Sequence, residues 1–222
     1  MRYLVNGNHI RSENAAKPHT QKSKPVDDYL LYSGKTNSAL DFGCGKLRYS
    51  DTLTKIATTV TFVDSQIQLS RRQVIRGEQT SVTEFVSKNY PNCKTIPFET
   101  IQNHQELYSL ITCTNVLSAI PCKDTLNSVI LTIKKLLSID GIAVFINQHR
   151  SSYFKKFESG QKHLNGYIYS NKKSTSYYGI FNKAVTQDLL LEHGFEIVKS
   201  WCVGESTFVE ARSPSEALFS EP

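Results

Sequence analysis

The 222-residue chain has no run of eighteen apolar residues, so no segment of it reads as a membrane-spanning helix. Its N-terminus lacks an apolar core too: Met1 and Arg2 are soon followed by Asn6, Asn8, His9 and Arg11, which does not suit a secretion signal. A soluble, cytoplasmic protein is expected. Cys-x-x-Cys pairs are missing, and Cys44, Cys93, Cys113, Cys122 and Cys202 stand singly and in odd number. Neither a zinc clip nor a closed disulfide framework is indicated, and no metal site is expected. Repeats and low-complexity tracts are absent as well. With 39% apolar residues, the chain fits one globular domain that buries roughly 70% of its unfolded surface.

What is present is unevenly placed. Residues 1–25 and 146–183 together hold twelve basic and two acidic groups, a net +10 in a chain whose total is +6, so the remaining body is about −4. Local basicity of this kind suits an anionic partner, although lysines that merely solvate two exposed segments would look the same. Residues 1–25, polar and carrying Pro18 and Pro25, read as an irregular basic arm. Residues 26–212 read as the folded domain, with 147–182 inserted in it, and 213–222 as a tail.

Within the domain, apolar strands and helical stretches alternate, which predicts a parallel sheet flanked by helices. Strands are expected at Ser38–Phe42, Thr59–Val63, Lys94–Phe98, Ser109–Cys113 and Ile142–Ile146. Helices are expected at Leu47–Ala57, Gln66–Arg76, Ser81–Tyr90 and Thr186–His193. The clearest helix carries Leu126, Val129, Ile130, Ile133, Leu136 and Leu137 at three- and four-residue spacing. Phe195–Ser200 and Ser206–Ala211 are joined by too few residues for a crossover helix, so they must pair antiparallel.

The informative motif is Asp41-Phe42-Gly43-Cys44-Gly45, placed between the first strand and a helix. Glycines there let the backbone turn and approach a ligand, and Asp64, nineteen residues past Gly45, ends the next strand where a carboxylate can accept both hydroxyls of a ribose. A dinucleotide site would need a third glycine where Arg48 stands, and Asp41 would repel a pyrophosphate while suiting an ammonium group. With the terminal antiparallel pair, the chain from Val26 to Arg212 resembles the class I S-adenosylmethionine-dependent methyltransferase family. The resemblance implies a doubly wound α/β fold whose seven-stranded, mostly parallel sheet has the order 3-2-1-4-5-7-6 and ends in an antiparallel hairpin. Leu47 departs from the pattern, since many members place a third glycine there.

The resemblance implies S-adenosyl-L-methionine as cofactor. The loop Gly43, Cys44 and Gly45 would wrap its methionine part, Asp41 would contact that part directly or through water, and Asp64, with Ser65 beside it, would hold the ribose. Glu99 would lie beside the adenine or simply face solvent. Asn115, just past the fourth strand, would lie where the pocket meets the methyl group, or serve as a plain turn residue. Asn115 and His149 are the catalytic candidates; His149 follows the fifth strand and could act as a base or as a structural hydrogen-bonder.

The acceptor stays open. Asn115-Val116-Leu117-Ser118 lacks the Pro-Pro-aromatic signature of enzymes that methylate exocyclic amines of DNA bases. Pro121-Cys122 stands too far past its strand for a cytosine-carbon nucleophile and reads as a helix opening. The insertion, which this fold places over the acceptor, offers Tyr153, Tyr167, Tyr169, Lys172, Lys173 and Tyr177. Lysines among aromatics suit nucleic acid, and the charge placement leans towards it. The same tyrosines suit a small-molecule pocket, and a non-catalytic partner subunit is the third reading.

Overall fold

The computed structural model describes residues 1–148, 154–172 and 174–214. The chain begins with a hairpin, β1 (Arg2–Val5) and β2 (Asn8–Arg11), followed by 3-10 turns and then α1 (Lys24–Tyr32). The domain continues through β3 (Thr36–Phe42), α2 (Ser50–Ile56), β4 (Ala57–Asp64), α3 (Gln66–Ser70), β5 (Gln73–Ile75), β6 (Glu78–Thr80), α4 (Val82–Asn89), β7 (Cys93–Pro97) and β8 (Tyr108–Thr114). After α5 (Lys123–Leu136) and β9 (Leu137–Gln148) come β10 (Gln161–His163), β11 (Gly166–Ser170) and β12 (Thr175–Gly179). The fold closes with α6 (Lys183–Glu192), β13 (Glu196–Val203) and β14 (Ser206–Arg212). Among the described residues no helix is long and apolar enough to cross a membrane.

Seven strands form the main sheet in the order β13-β14-β9-β8-β3-β4-β7. Numbered along the domain, that is the expected 3-2-1-4-5-7-6, with β14 antiparallel to both neighbours. Because β3, β4, β7, β8 and β9 are parallel, each connection crosses over, and apolar clusters form on both faces of the sheet. One face packs Leu126, Val129, Ile130, Ile133 and Leu136 of α5 with Leu190 of α6. The other packs Val26 and Leu30 of α1, Leu53 of α2 and Phe85 of α4. The chain winds outwards one way from β3 through β4 to β7, then returns to β8 and goes the other way. That reversal leaves a crevice at the carboxyl ends of β3 and β8, where α/β sheets bind ligands.

Three local expectations give way to turn chemistry. The first eleven residues are not irregular: Asn6 (φ +50°) and Gly7 (φ +76°) form a two-residue left-handed turn that pairs β1 with β2. Asn-Gly is a strong hairpin signal, and it outweighs the polar composition. The expected Gln66–Arg76 helix stops at Ser70, because Arg76 (φ +51°) and Gly77 (φ +85°) turn the chain into the β5–β6 hairpin. Helix α2 starts at Ser50 rather than Leu47, since Leu47 adopts φ +59°. The expected cap at Gly194 is present: its amide bonds Leu191 O while Phe195 N bonds Leu190 O, a Schellman closure.

A second sheet, ordered β1-β2-β12-β11-β10, lies outside the main one. It joins the N-terminal hairpin to the insertion after β9 through parallel pairing of β2 with β12 at Ile10 and Thr175. Its small core is Ile10, Ile168 and Tyr177. Gly166 faces Gly179 across β11 and β12, and a Cβ on Gly166 would stand 2.0 Å from Tyr178 O. Gly166→Ala is therefore expected to detach β11 from β12 while sparing the main sheet. Hydrogen exchange should show lost protection over residues 161–179 and unchanged protection in β3, β4, β8 and β9.

Candidate functional site

The crevice is built around the turn after β3. Gly43 (φ +81°) and Cys44 both donate their backbone amides to Val63 O, at 2.7 and 3.0 Å, which pins the turn to the end of β4. A Cβ on Gly43 would lie 2.3 Å from Val116 Cγ2, so nothing larger than glycine fits. Gly45 (φ +56°) donates its amide to Asp64 Oδ2 at 2.9 Å, and its carbonyl accepts from Nε2 of the buried Gln68 at 2.6 Å. Leu47, where a third glycine was the pattern, takes the left-handed conformation and is fully buried. Core packing holds a leucine in a backbone region that leucine disfavours.

Two carboxylates face this turn. Asp41, 4% exposed, accepts a hydrogen bond from Thr112 Oγ1 at 2.8 Å. Burial pushes its pKa up to about 6, the Asp64 charge adds to the rise, and the Thr112 hydroxyl opposes it. Asp64 accepts from Gly45 N with one oxygen and from Ser65 N, at 2.8 Å, with the other. Burial raises its pKa as well, against those two amides. Cys44 is buried, and burial followed by the Asp64 charge pushes its thiol well up, so it stays protonated and packs as an apolar group. Asn115 (φ +57°) ends β8 in a left-handed turn. Its amide bonds Ile146 O and its Oδ1 accepts from Gln148 N at 2.7 Å, joining the ends of β8 and β9.

These groups share one cavity of about 720 Å³ with the second sheet. Asp41, Gly43, Cys44, Gly45, Asp64, Ser65 and Asn115 line it, and so do Tyr169 and Tyr177 from the insertion. Glu99, Tyr167 and Lys172 are not among its lining residues. Glu99 Oε2 accepts the Gln66 amide at 2.8 Å at the start of α3, and Lys172 is exposed. Cys122 precedes α5 as its N-cap and also lies off the lining. His149, Tyr153 and Lys173 fall outside the described residues.

Sequence reasoning missed Phe98, which packs edge-on against Phe42, the buried Gln68 with its unpartnered Oε1, and Phe157, which forms an aromatic cluster with Phe154 and Tyr178 of the aromatic-rich insertion. Gln68 offered no signal, being a polar residue in a helix.

Over residues 13–200 the chain matches the family described as a methyltransferase domain. It is 48% identical over 213 residues, 96% of each chain, to the Escherichia coli (strain K12) protein named Uncharacterized protein YmfD. Its fold is similar to that of the N-methyltransferase NodS of Bradyrhizobium japonicum WM9 in complex with S-adenosyl-l-homocysteine (TM-score 0.57, 17% identity, 86% of this chain and 87% of that one). It is also similar to the 1,6-didemethyltoxoflavin-N1-methyltransferase of Burkholderia thailandensis with bound 1,6-didemethyltoxoflavin and S-adenosylhomocysteine (TM-score 0.63, 16% identity, 87% and 80%).

Asp41 makes the free site costly to keep charged. Between the ordinary carboxylate value and about 6, the folded protein holds a proton that the unfolded chain has lost, so this group's stabilisation is present at low pH and fades as pH rises through that window. Asp41→Asn should therefore stabilise the free protein at pH 7.5 by about 1–3 kcal/mol, and much less at pH 4.5. Urea unfolding of both proteins at the two pH values is the measurement.

Proposed function

We propose that this chain, which belongs to the class I S-adenosylmethionine-dependent methyltransferase family, transfers the cofactor's methyl group to a small molecule enclosed beneath the second sheet. The observation that carries this reading is the shared cavity. Its volume falls in the range of small-ligand sites, and the N-terminal hairpin and the insertion both wall it. The toxoflavin-precursor enzyme, whose fold this chain shares, holds a small molecule of that kind.

The residues present fit the cofactor. Two buried carboxylates, Asp41 and Asp64, whose pKa values burial raises, face a cavity with a glycine turn that has no room for a Cβ. A ligand with an ammonium and a sulfonium relieves that charge, and a ribose suits Asp64, whose two oxygens are already oriented by backbone amides. In this reading Gly43, Cys44 and Gly45 hold the methionine part, Asp41 meets its ammonium, and Ser65 flanks the ribose. Phe98, rather than Glu99, offers the apolar surface for the adenine. When bound, the cofactor supplies an electrophilic methyl group.

The chain's own contribution is enclosure and alignment. The second sheet walls the cavity, and Asn115, fixed between β8 and β9, sets the floor on which the acceptor meets the methyl group. His149, next in the chain after Gln148, is the proposed proton acceptor for substrates that need one. A second reading, a nucleic acid or nucleotide-like acceptor, draws on the exposed Lys155, Lys162 and Lys172 around the insertion.

S-adenosylhomocysteine should raise the melting temperature, and Gly43→Ala should weaken its binding at least a hundredfold, because the new Cβ meets Val116. Calorimetry checks both. Labelled methyl transfer to a metabolite extract, but not to DNA or RNA, is the outcome the small-molecule reading requires. Oligonucleotide binding that falls steeply with salt, and less steeply in Lys172→Ala, would establish the second reading instead.

A further inference from the structure

Arg48 stands where a dinucleotide site would need its third glycine. The left-handed Leu47 buries its own side chain and delays α2 until Ser50, so Arg48 lies in the turn, half-buried, and lines the cavity. Its Nη2 donates to Gln21 O, and its guanidinium carbon stands 5.3 Å from the centre of the Tyr49 ring. Nε is buried, whereas Nη1 has no hydrogen-bond partner among the described residues.

Asp41 lies at the same end of the cavity. Burial pushes the Tyr49 hydroxyl up, the nearby Arg48 charge opposes that rise, and the Asp41 charge adds to it. Arg48 and Asp41 both line the cavity, yet no ion pair joins them: Asp41 is held by Thr112 and Arg48 by Gln21 O. A buried carboxylate and a guanidinium kept apart in one cavity fit a zwitterion, whose ammonium and carboxylate need opposite partners. The N-terminal segment runs along the same turn, contact by contact. Ala16 packs on Gly45, Pro18 pairs with Lys46, and Gln21 O takes the Arg48 Nη2. Lys17, a second cation of this stretch that lines the cavity, is exposed.

Resting on the cofactor reading above, we propose that Arg48 serves two partners at once: Nη1 donates to the carboxylate at the cofactor's methionine end, and Nη2 keeps the N-terminal segment on the glycine turn. The rigid fork of a guanidinium lets one side chain meet an anion and a carbonyl together, which a lysine head group cannot do in a fixed geometry. With the carboxylate in place Arg48 is fixed from both sides. Occupancy of the amino-acid end therefore steadies residues 16–21 and, through the pairing of β2 with β12, the wall over the acceptor. A nucleoside without that end fills the ribose side and leaves this link open, so the turn selects the complete cofactor over its nucleoside fragments.

The test applies calorimetry to the full chain with three ligands: S-adenosylhomocysteine, its decarboxylated analogue, which keeps the amine, and methylthioadenosine, which lacks the whole amino-acid end. The wild type should bind the first at least tenfold more tightly than the second. Arg48→Met should reduce that preference to twofold or less while leaving methylthioadenosine affinity within twofold of wild type, and Lys17→Ala should keep the preference. Hydrogen exchange of the wild type, saturated with each ligand in turn, should show residues 16–21 better protected by S-adenosylhomocysteine than by the decarboxylated analogue. The proposal fails if the wild type shows no preference, if Arg48→Met keeps it, or if Lys17→Ala abolishes it. It also fails if Arg48→Met weakens methylthioadenosine as much as S-adenosylhomocysteine, or if exchange over residues 16–21 is the same with both ligands. A wild type that binds none of the three would instead strike the cofactor reading on which the proposal stands.

Discussion

The hydrogen bond from the Gly45 amide to Asp64 Oδ2 ties together the ends of two adjacent parallel strands, and the site depends on it. Asp64 is held at β4 by Ser65, and Gly45 sits in a turn whose other amides bond Val63 O. The carboxylate therefore orients the glycine turn while the turn satisfies the carboxylate, a charge-assisted closure in a buried place. Gln68 completes it from below through the Gly45 carbonyl, which explains why a fully buried glutamine stands in α3. From above, Ala16 lies 3.3 Å from where a Gly45 Cβ would be, so the N-terminal segment packs directly on the turn.

That contact couples the cofactor side to the second sheet. Ala16 follows β2, β2 pairs with β12, and β12 carries Tyr177 and Tyr178 into the same cavity. The hairpin at the start of the chain and the insertion after β9 thus form one wall, although roughly 150 residues separate them in sequence. The two-stranded N-terminal hairpin lacks the third strand that independent stability demands, and the three-stranded insertion supplies it. Together they bury the Ile10, Ile168 and Tyr177 core.

The charge distribution is less directive than its segmental concentration suggested. Among the basic groups of the insertion, Lys156 lines the cavity while Lys155, Lys162 and Lys172 face solvent. Lys155 and Lys156 sit in a 3-10 helix and Lys172 in the turn between β11 and β12, so a count along the chain does not say which charges meet a ligand. Tyr167 and Tyr169 illustrate the limits of the same count: both were candidates, and only Tyr169 lines the cavity.

By itself the sequence determined the terminal antiparallel pair, the glycine turn and the two carboxylates around it, because each rests on short-range signals: apolar runs, connection length and glycine spacing. The sheet order followed only from the family resemblance those signals carry. The Asn6-Gly7 hairpin was equally legible, and reading residues 1–25 by composition hid it. Only the tertiary structure decided that the N-terminal hairpin pairs with the insertion and that Leu47 is held left-handed by its burial. These depend on which distant surfaces meet, and long-range pairing is set by the packing of the whole chain rather than by any local pattern of residues.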